Sequence, residues 1–103
     1  MDRLDTTARS LAALGHEARL QIFRLLVRAG DTGMTVGQIG HHLALAPSTL
    51  AHHLRSLTDA ELVTQERQGR EVVNRVDYAV MNRTLAFLTE ECCAGIADAK
   101  DTA

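Results

Sequence analysis

The sequence predicts a small, mainly α-helical domain that carries one β-hairpin. Three observations carry that expectation. Apolar residues recur at helical spacing along most of the chain, as in Leu4, Ala8 and Leu11 at i, i+4 and i+7. One stretch breaks the pattern with two short β-prone runs, 62–66 and 72–76, either side of a glycine. Hydrophobic residues make up 46% of the 103 residues but aromatics only 3%, which suits helices packed through Leu, Ala, Val and Ile better than a β-sandwich.

The elements follow in order. Leu4, Ala8 and Leu11 lie on the first helix, which Gly15 ends. Residues 17–29 form a second helix. Its Ile22, Phe23, Leu25, Leu26 and Val27 spread over a wide arc, as a central helix requires. Gly30-Asp31-Thr32-Gly33 is a turn. Thr35 stands where it can cap a short third helix carrying Val36, Ile39 and Leu43. Pro47 fits the first position of a fourth helix, where its missing N–H is harmless, and that helix runs to about residue 60. Arg67-Gln68-Gly69-Arg70 joins the two strands. A fifth helix begins near Val80, with Gly95 as its natural stop. Residues 97–103 are small and polar and are expected to fray. The order α-α-α-α-β-β-α over residues 1–96 is that of a single winged helix-turn-helix domain.

The net charge of −2 weighs against a nucleic-acid partner, because phosphate contacts need cations. Its distribution softens the objection. Asp2, Asp5, Glu90, Glu91, Asp98 and Asp101 lie near the two ends. Between residues 36 and 76, Arg55, Arg67, Arg70 and Arg75 balance Asp59, Glu61, Glu66 and Glu71, and His41, His42, His52 and His53 are added. Modest, salt-sensitive affinity for double-stranded DNA is the expectation. No apolar run reaches the length of a bilayer span and no signal peptide is legible, so the chain reads as cytoplasmic, without a membrane partner. A thiol oxidoreductase would call for a C-x-x-C motif on an α/β frame, and neither is legible, so the chain does not read as an enzyme.

A recognition helix needs an apolar face for anchorage and an opposite polar face for bases. With Leu50 at the centre of the buried face and about 100° per residue, Leu54, Leu57 and Glu61 share that face. Ser48, His52 and Arg55 fall on the other side, with Thr49 flanking them and His53 leaning back toward the core. Ser48, Thr49, His52 and Arg55 are therefore candidate DNA contacts; the bland alternative is a solvated helix face. Arg67, Gln68 and Arg70 surround the hairpin tip, where a wing meets the minor groove or backbone. Ordinary turn arginines are the alternative there.

The chain resembles the ArsR/SmtB-type metalloregulatory repressors. The likeness is carried by the run from Ala13 to Leu20 (ALGHEARL), by the run from Leu45 to Leu57 (LAPSTLAHHLRSL), and by Glu61-Leu62-Val63 and Gln68-Gly69-Arg70. It implies a homodimer joined through its first and last helices, which binds an operator and releases it when a metal or metalloid binds. It also marks departures. The family usually has Ser where Ala46 stands, as a helix cap, and often Ser at Ala51. Gly is common where Glu61 stands, so strain is expected at the turn into the first wing strand.

The resemblance also frames the effector. The family's thiolate site on the third helix requires cysteines there, and residues 36–42 hold none. The zinc site on its last helix uses histidines, and residues 80–95 hold none. What remains is Cys92-Cys93, the only cysteines, in a run that resembles the arsenic-responsive branch. Thiolates prefer soft centres, so trivalent arsenic or antimony is the expected effector, and no resident cofactor is required. Arsenite takes three sulfurs and methylarsenite two, so the pair suits a methylated arsenical at least as well. Whether the site lies within one protomer or between two is open at this point. Two other readings stay beside it. Met81, Leu85, Leu88 and Cys92 fall at i, i+4, i+7 and i+11, so Cys92 fits as a small apolar residue of a dimer stripe. A thiol redox switch of the same fold is the second, disfavoured by Glu90, Glu91 and the negative end of a helix dipole. A zinc site built from one residue of each histidine pair is the weakest alternative.

Overall fold

A computed structural model describes residues 3–96, so the tail at 97–103 lies outside the described residues. Five α-helices and three strands follow in order: α1 (Arg3–Leu14), α2 (Glu17–Ala29), β1 (Met34–Thr35), α3 (Val36–Leu43), α4 (Pro47–Asp59), β2 (Val63–Gln68), β3 (Glu71–Val76) and α5 (Tyr78–Thr89). A single 3-10 turn at Gly30–Thr32 links α2 to β1.

The core sits where α2, α3 and α4 meet the strands. Ile22, Leu26, Ile39, Leu50, Leu57 and Leu62 are wholly buried there. At about 1.5–3 kcal/mol for each fully buried aliphatic side chain, this cluster is the main term holding the helix-turn-helix together. Thr35 caps α3 as the sequence predicts: its hydroxyl accepts from the Gln38 N–H at 3.1 Å, and the Gln38 side chain accepts from the Thr35 N–H at 2.9 Å. This reciprocal box satisfies two donors that a helix start leaves open.

The α4 start is less well provided. Pro47 opens the helix, but Ala46 at the cap has no side-chain acceptor. Its backbone already has the extended geometry of a cap, φ −65° and ψ 146°. Ala46→Ser is therefore expected to stabilise the protein by about 0.5–2 kcal/mol, read as a shift in the urea midpoint without a change in slope.

Four sequence expectations need correction. The sheet has three strands in the order β1-β3-β2, not two. Met34 and Thr35 pair with Asn74 and Val73, a run too short for period-2 alternation to reveal. Gly33 makes this pairing possible: with φ 70°, a Cβ there would stand 2.7 Å from the Asn74 carbonyl oxygen. The hairpin turn is shorter than predicted. Gln68 pairs with Glu71, leaving a two-residue loop, Gly69-Arg70, with Gly69 at φ 64°. Glycine at the first loop position is what a type II′ turn requires.

The third correction concerns α5. It begins at Tyr78, where the Asp77 carboxylate accepts from the Val80 N–H at 3.2 Å. It ends at Thr89, six residues short of Gly95. No basic residue stands in its last turn, and Glu90 and Glu91 follow at the negative end of the helix dipole. Beyond Thr89 the ladder tightens to three-residue turns, Cys92 N–H to Thr89 at 2.9 Å and Ala94 N–H to Glu91 at 3.1 Å. Glu61 is the fourth. It lies past the end of α4, exposed, and not on the helix's buried side. It adopts φ 64°, the left-handed geometry where glycine is easiest, so the strain expected there is present.

Helix α1 buries Thr7, Ser10 and Ala13 against its own chain. Leu4 and Leu11 point away, as do Leu85 and Leu88 on α5; these are 59%, 38%, 56% and 57% exposed. The apolar residues that mark α1 as amphipathic thus form a second face, not part of the core.

Candidate nucleic-acid interface and thiol pair

Helices α3 and α4 make the helix-turn-helix. Ala44 ends α3 in the left-handed conformation, φ 54°, and the Leu45 N–H closes the corner on the Gly40 carbonyl at 3.1 Å. A Cβ at Gly40 would stand 3.4 Å from the Leu45 carbonyl oxygen and from the Leu50 side chain, at the near edge of ordinary contact. Leu50, Leu54 and Leu57 anchor α4 from beneath. Ser48, Thr49, His52 and Arg55 are all exposed, so the structure presents the predicted face outward.

His53 turns inward, as the sequence predicts, and is only 7% exposed. Its Nδ1 is buried with no hydrogen-bond partner among the described residues, and its ring centroid is 4.7 Å from that of His16. Burial, aided by His16, Arg19 and His52, lowers its pKa from the ordinary 6.5. The folded protein therefore binds fewer protons here than the unfolded chain. The stabilisation is complete above pH 6.5 and is lost as pH falls from there toward the lower folded value. Thermal melts across that window are expected to show a decline in wild type that His53→Gln reduces. Equal declines in both would assign the effect elsewhere.

The wing is braced from one side. Arg75 donates to Glu66 Oε1 at 2.6 Å and to the Asp31 carbonyl at 2.8 Å. That hydrogen bond to Glu66, with a second from Gln68 at 3.3 Å, holds the Glu66 carboxyl below its usual pKa. Arg75 is therefore committed within the fold. Arg67 and Arg70 are exposed and form no ion pair among the described residues. Gln68 is exposed but already engaged with Glu66.

Cys92 and Cys93 are both exposed free thiols, and their sulfurs stand 3.4 Å apart. On a continuous helix, adjacent side chains diverge by about 100°. The pair converges because it lies beyond α5, with Cys93 at φ 63°. The helical stripe predicted to include Cys92 accordingly stops at Leu88. Glu90, read from the sequence as an anionic neighbour of the thiols, is paired with Arg3 of α1 at 2.8 Å. No sequence spacing announces a contact across that separation. Among the described residues, no group of three His, Cys, Asp or Glu side chains is arranged to hold a metal ion, so neither a third ligand for the thiols nor a histidine zinc site is assembled. Nor, among them, is any helix long and apolar enough to cross a membrane.

Comparison with known proteins agrees with this geometry. A helix-turn-helix domain model matches residues 14–66. The arsenical resistance operon repressor of Staphylococcus aureus is 31% identical over 72 residues, which span 70% of this chain and 66% of that protein. An ArsR-like transcriptional regulator from Rhodococcus sp. RHA1 superposes with a TM-score of 0.74 at 28% identity, over 84% of this chain and 79% of that one. A homodimeric winged helix-turn-helix DNA-binding domain from Mycobacterium bovis gives 0.69 at 26% identity, over 85% and 81%. On the matched helix-turn-helix, the shared wing and these relatives, the chain belongs to the ArsR/SmtB-type family of winged helix-turn-helix transcriptional repressors.

Proposed function

We propose that the protein is a homodimeric repressor that leaves its operator when a trivalent arsenical or antimonial binds Cys92 and Cys93. The single observation that carries this reading is the 3.4 Å separation of two exposed sulfurs. A pyramidal centre with bonds of about 2.3 Å, a usual metal–thiolate length, meeting near a right angle spans two sulfurs about 3.3 Å apart. The S. aureus relative is named for arsenical resistance, which agrees.

Two sulfurs complete the coordination of methylarsenite, whose third position is carbon. Arsenite needs a further thiol, from the second protomer or from a small cellular thiol. Binding exchanges each thiol proton and one hydroxide of the arsenical for an As–S bond and water, so no oxidant takes part.

The dimer is supported by the exposed Leu4, Leu11, Leu85 and Leu88 on α1 and α5, and by the homodimeric M. bovis neighbour. Dimerisation pairs two copies of α4. Ser48, Thr49, His52 and Arg55 read the major groove, and Arg67, Gln68 and Arg70 hold the flanking backbone or minor groove. Half-sites lie about one helical turn apart, so a modest change in protomer orientation breaks the match.

The test is fluorescence anisotropy with DNA from upstream of the protein's own gene, at one fixed salt concentration. Methylarsenite is expected to weaken binding by roughly 5- to 150-fold, the usual range of allosteric coupling. Unchanged affinity with both thiols occupied would overturn the proposal. Release by peroxide alone, with no response to arsenical, would favour a redox switch.

A further inference from the structure

Helix α1 is gripped at both ends by side chains from other elements. At its start, the Arg3 guanidinium donates to both oxygens of the Glu90 carboxylate, at 2.8 and 3.4 Å. The same guanidinium lies 5.0 Å from the centroid of the Phe87 ring. Phe87 lies in the last turn of α5 and Glu90 opens the thiol turn, two residues before Cys92. At the other end, Arg19 of α2 donates to the Ala13 carbonyl at 2.6 Å and the Ala12 carbonyl at 3.4 Å. The Ala12 carbonyl also accepts from the Gly15 N–H at 3.2 Å, and a cation is favoured at the carbonyl end of a helix.

The contacts continue from α2 into α4. His16 caps α2 through Nδ1, which accepts from the Ala18 N–H at 3.2 Å. Its ring is the one that meets His53, and the ring of outward-facing His52 is 5.7 Å from that of His53. Between its two clasps, α1 rests on its own chain through Thr7, Ser10 and Ala13. Thr7, Ser10 and Ala13 are small, and the one large α1 side chain packed against the core is Leu14 at the C-terminal end, so a tilt of the helix pivots about that end.

We propose that α1 is the rod that carries thiol occupancy to the recognition helix, with Arg3–Glu90 as its input clasp and Arg19 and His16–His53 as its output clasp. The proposal rests on reading Cys92 and Cys93 as the effector site. A metalloid closing both sulfurs fixes the turn in one shape, and Glu90 moves with it. Arg3 follows, α1 tilts on its seat, and the α1–α2 corner presses on His53 beneath the DNA-facing surface. An exposed ion pair adds little stability, so here it sets position and not fold strength.

Contiguous contacts establish a route, whereas coupling is established by a mutant cycle. The variants are Arg3→Glu, Glu90→Arg and both together, in the full chain. Two quantities are read: methylarsenite bound per protomer by intact mass, and operator affinity with and without saturating methylarsenite. Both single variants are expected to bind methylarsenite and the operator, yet to lose most of the arsenical-induced weakening. The double reversal, which restores the pair with opposite polarity, is expected to recover it. His16→Asn, which keeps a good helix cap but removes the ring contact, is expected to lose coupling as well.

The rod is overturned if single reversals with bound methylarsenite release the operator as wild type does, or if the double reversal stays uncoupled. In those cases the thiol site stands. If wild type takes up no methylarsenite through Cys92 and Cys93, the thiol site and the rod fall together.

Discussion

Replacing Cys92 or Cys93 with serine is expected to abolish the arsenical response. Ligand count decides the outcome. Cys92 and Cys93 are the chain's only cysteines, and no third ligand among the described residues stands ready to replace one. Loss of either leaves a single sulfur, which cannot chelate, and serine offers a hard oxygen that a soft trivalent centre does not prefer. The roughly 5- to 150-fold weakening expected of wild type should therefore shrink to none. Operator affinity without arsenical is the reference for each variant. The two serines need not behave alike. Cys93 carries φ 63°, so Cys93→Gly relieves backbone strain while removing the sulfur. If Cys93→Gly is slightly more stable than wild type yet deaf to methylarsenite, conformation and coordination are separated at one residue. A full response from Cys92→Ser would end the thiol-site reading.

The fold was legible where periodicity and caps act over a helical turn or more. The Thr35 cap of α3, Pro47 at the head of α4, and the inward lean of His53 all follow from local spacing. What escaped was set by distant partners. β1 is two residues long and exists because β3 accepts it and Gly33 leaves room. Arg3–Glu90 and Arg19 on the α1 carbonyls join residues that share no local pattern. The thiol pair shows the limit most clearly. Two adjacent cysteines are visible in the sequence as a soft site, but continuous helical geometry would splay them apart. Their convergence depends on where α5 stops, and Gly95 was the wrong marker because the acidic pair Glu90-Glu91 already disfavours continuation. In the same way, the Leu4 and Leu11 stripe announces an amphipathic helix without saying which body it faces.

Arg55→Ala is expected to be the most damaging single change on the proposed DNA-reading face of α4. Arg55 is exposed on α4, opposite the buried Leu50, Leu54 and Leu57, and its guanidinium forms no ion pair among the described residues. A bidentate arginine–base contact is worth about 1–3 kcal/mol. A homodimer makes that contact twice, so the expected penalty is about 2–6 kcal/mol, or roughly 30- to 20,000-fold in operator affinity. The effect should be selective, narrowing the gap between operator and scrambled DNA. The wing behaves differently. Arg67→Ala and Arg70→Ala remove cations proposed to meet the DNA backbone, so they should weaken both DNAs alike and lower the salt slope by about one for each phosphate no longer neutralised. Arg75→Ala is a further contrast, since its guanidinium is held by Glu66 and Asp31; it acts on the wing's bracing and not on phosphate. An Arg55→Ala protein that keeps the full operator-to-scrambled ratio would move base reading elsewhere, with Ser48 and His52 on the same helix face as the next positions to change.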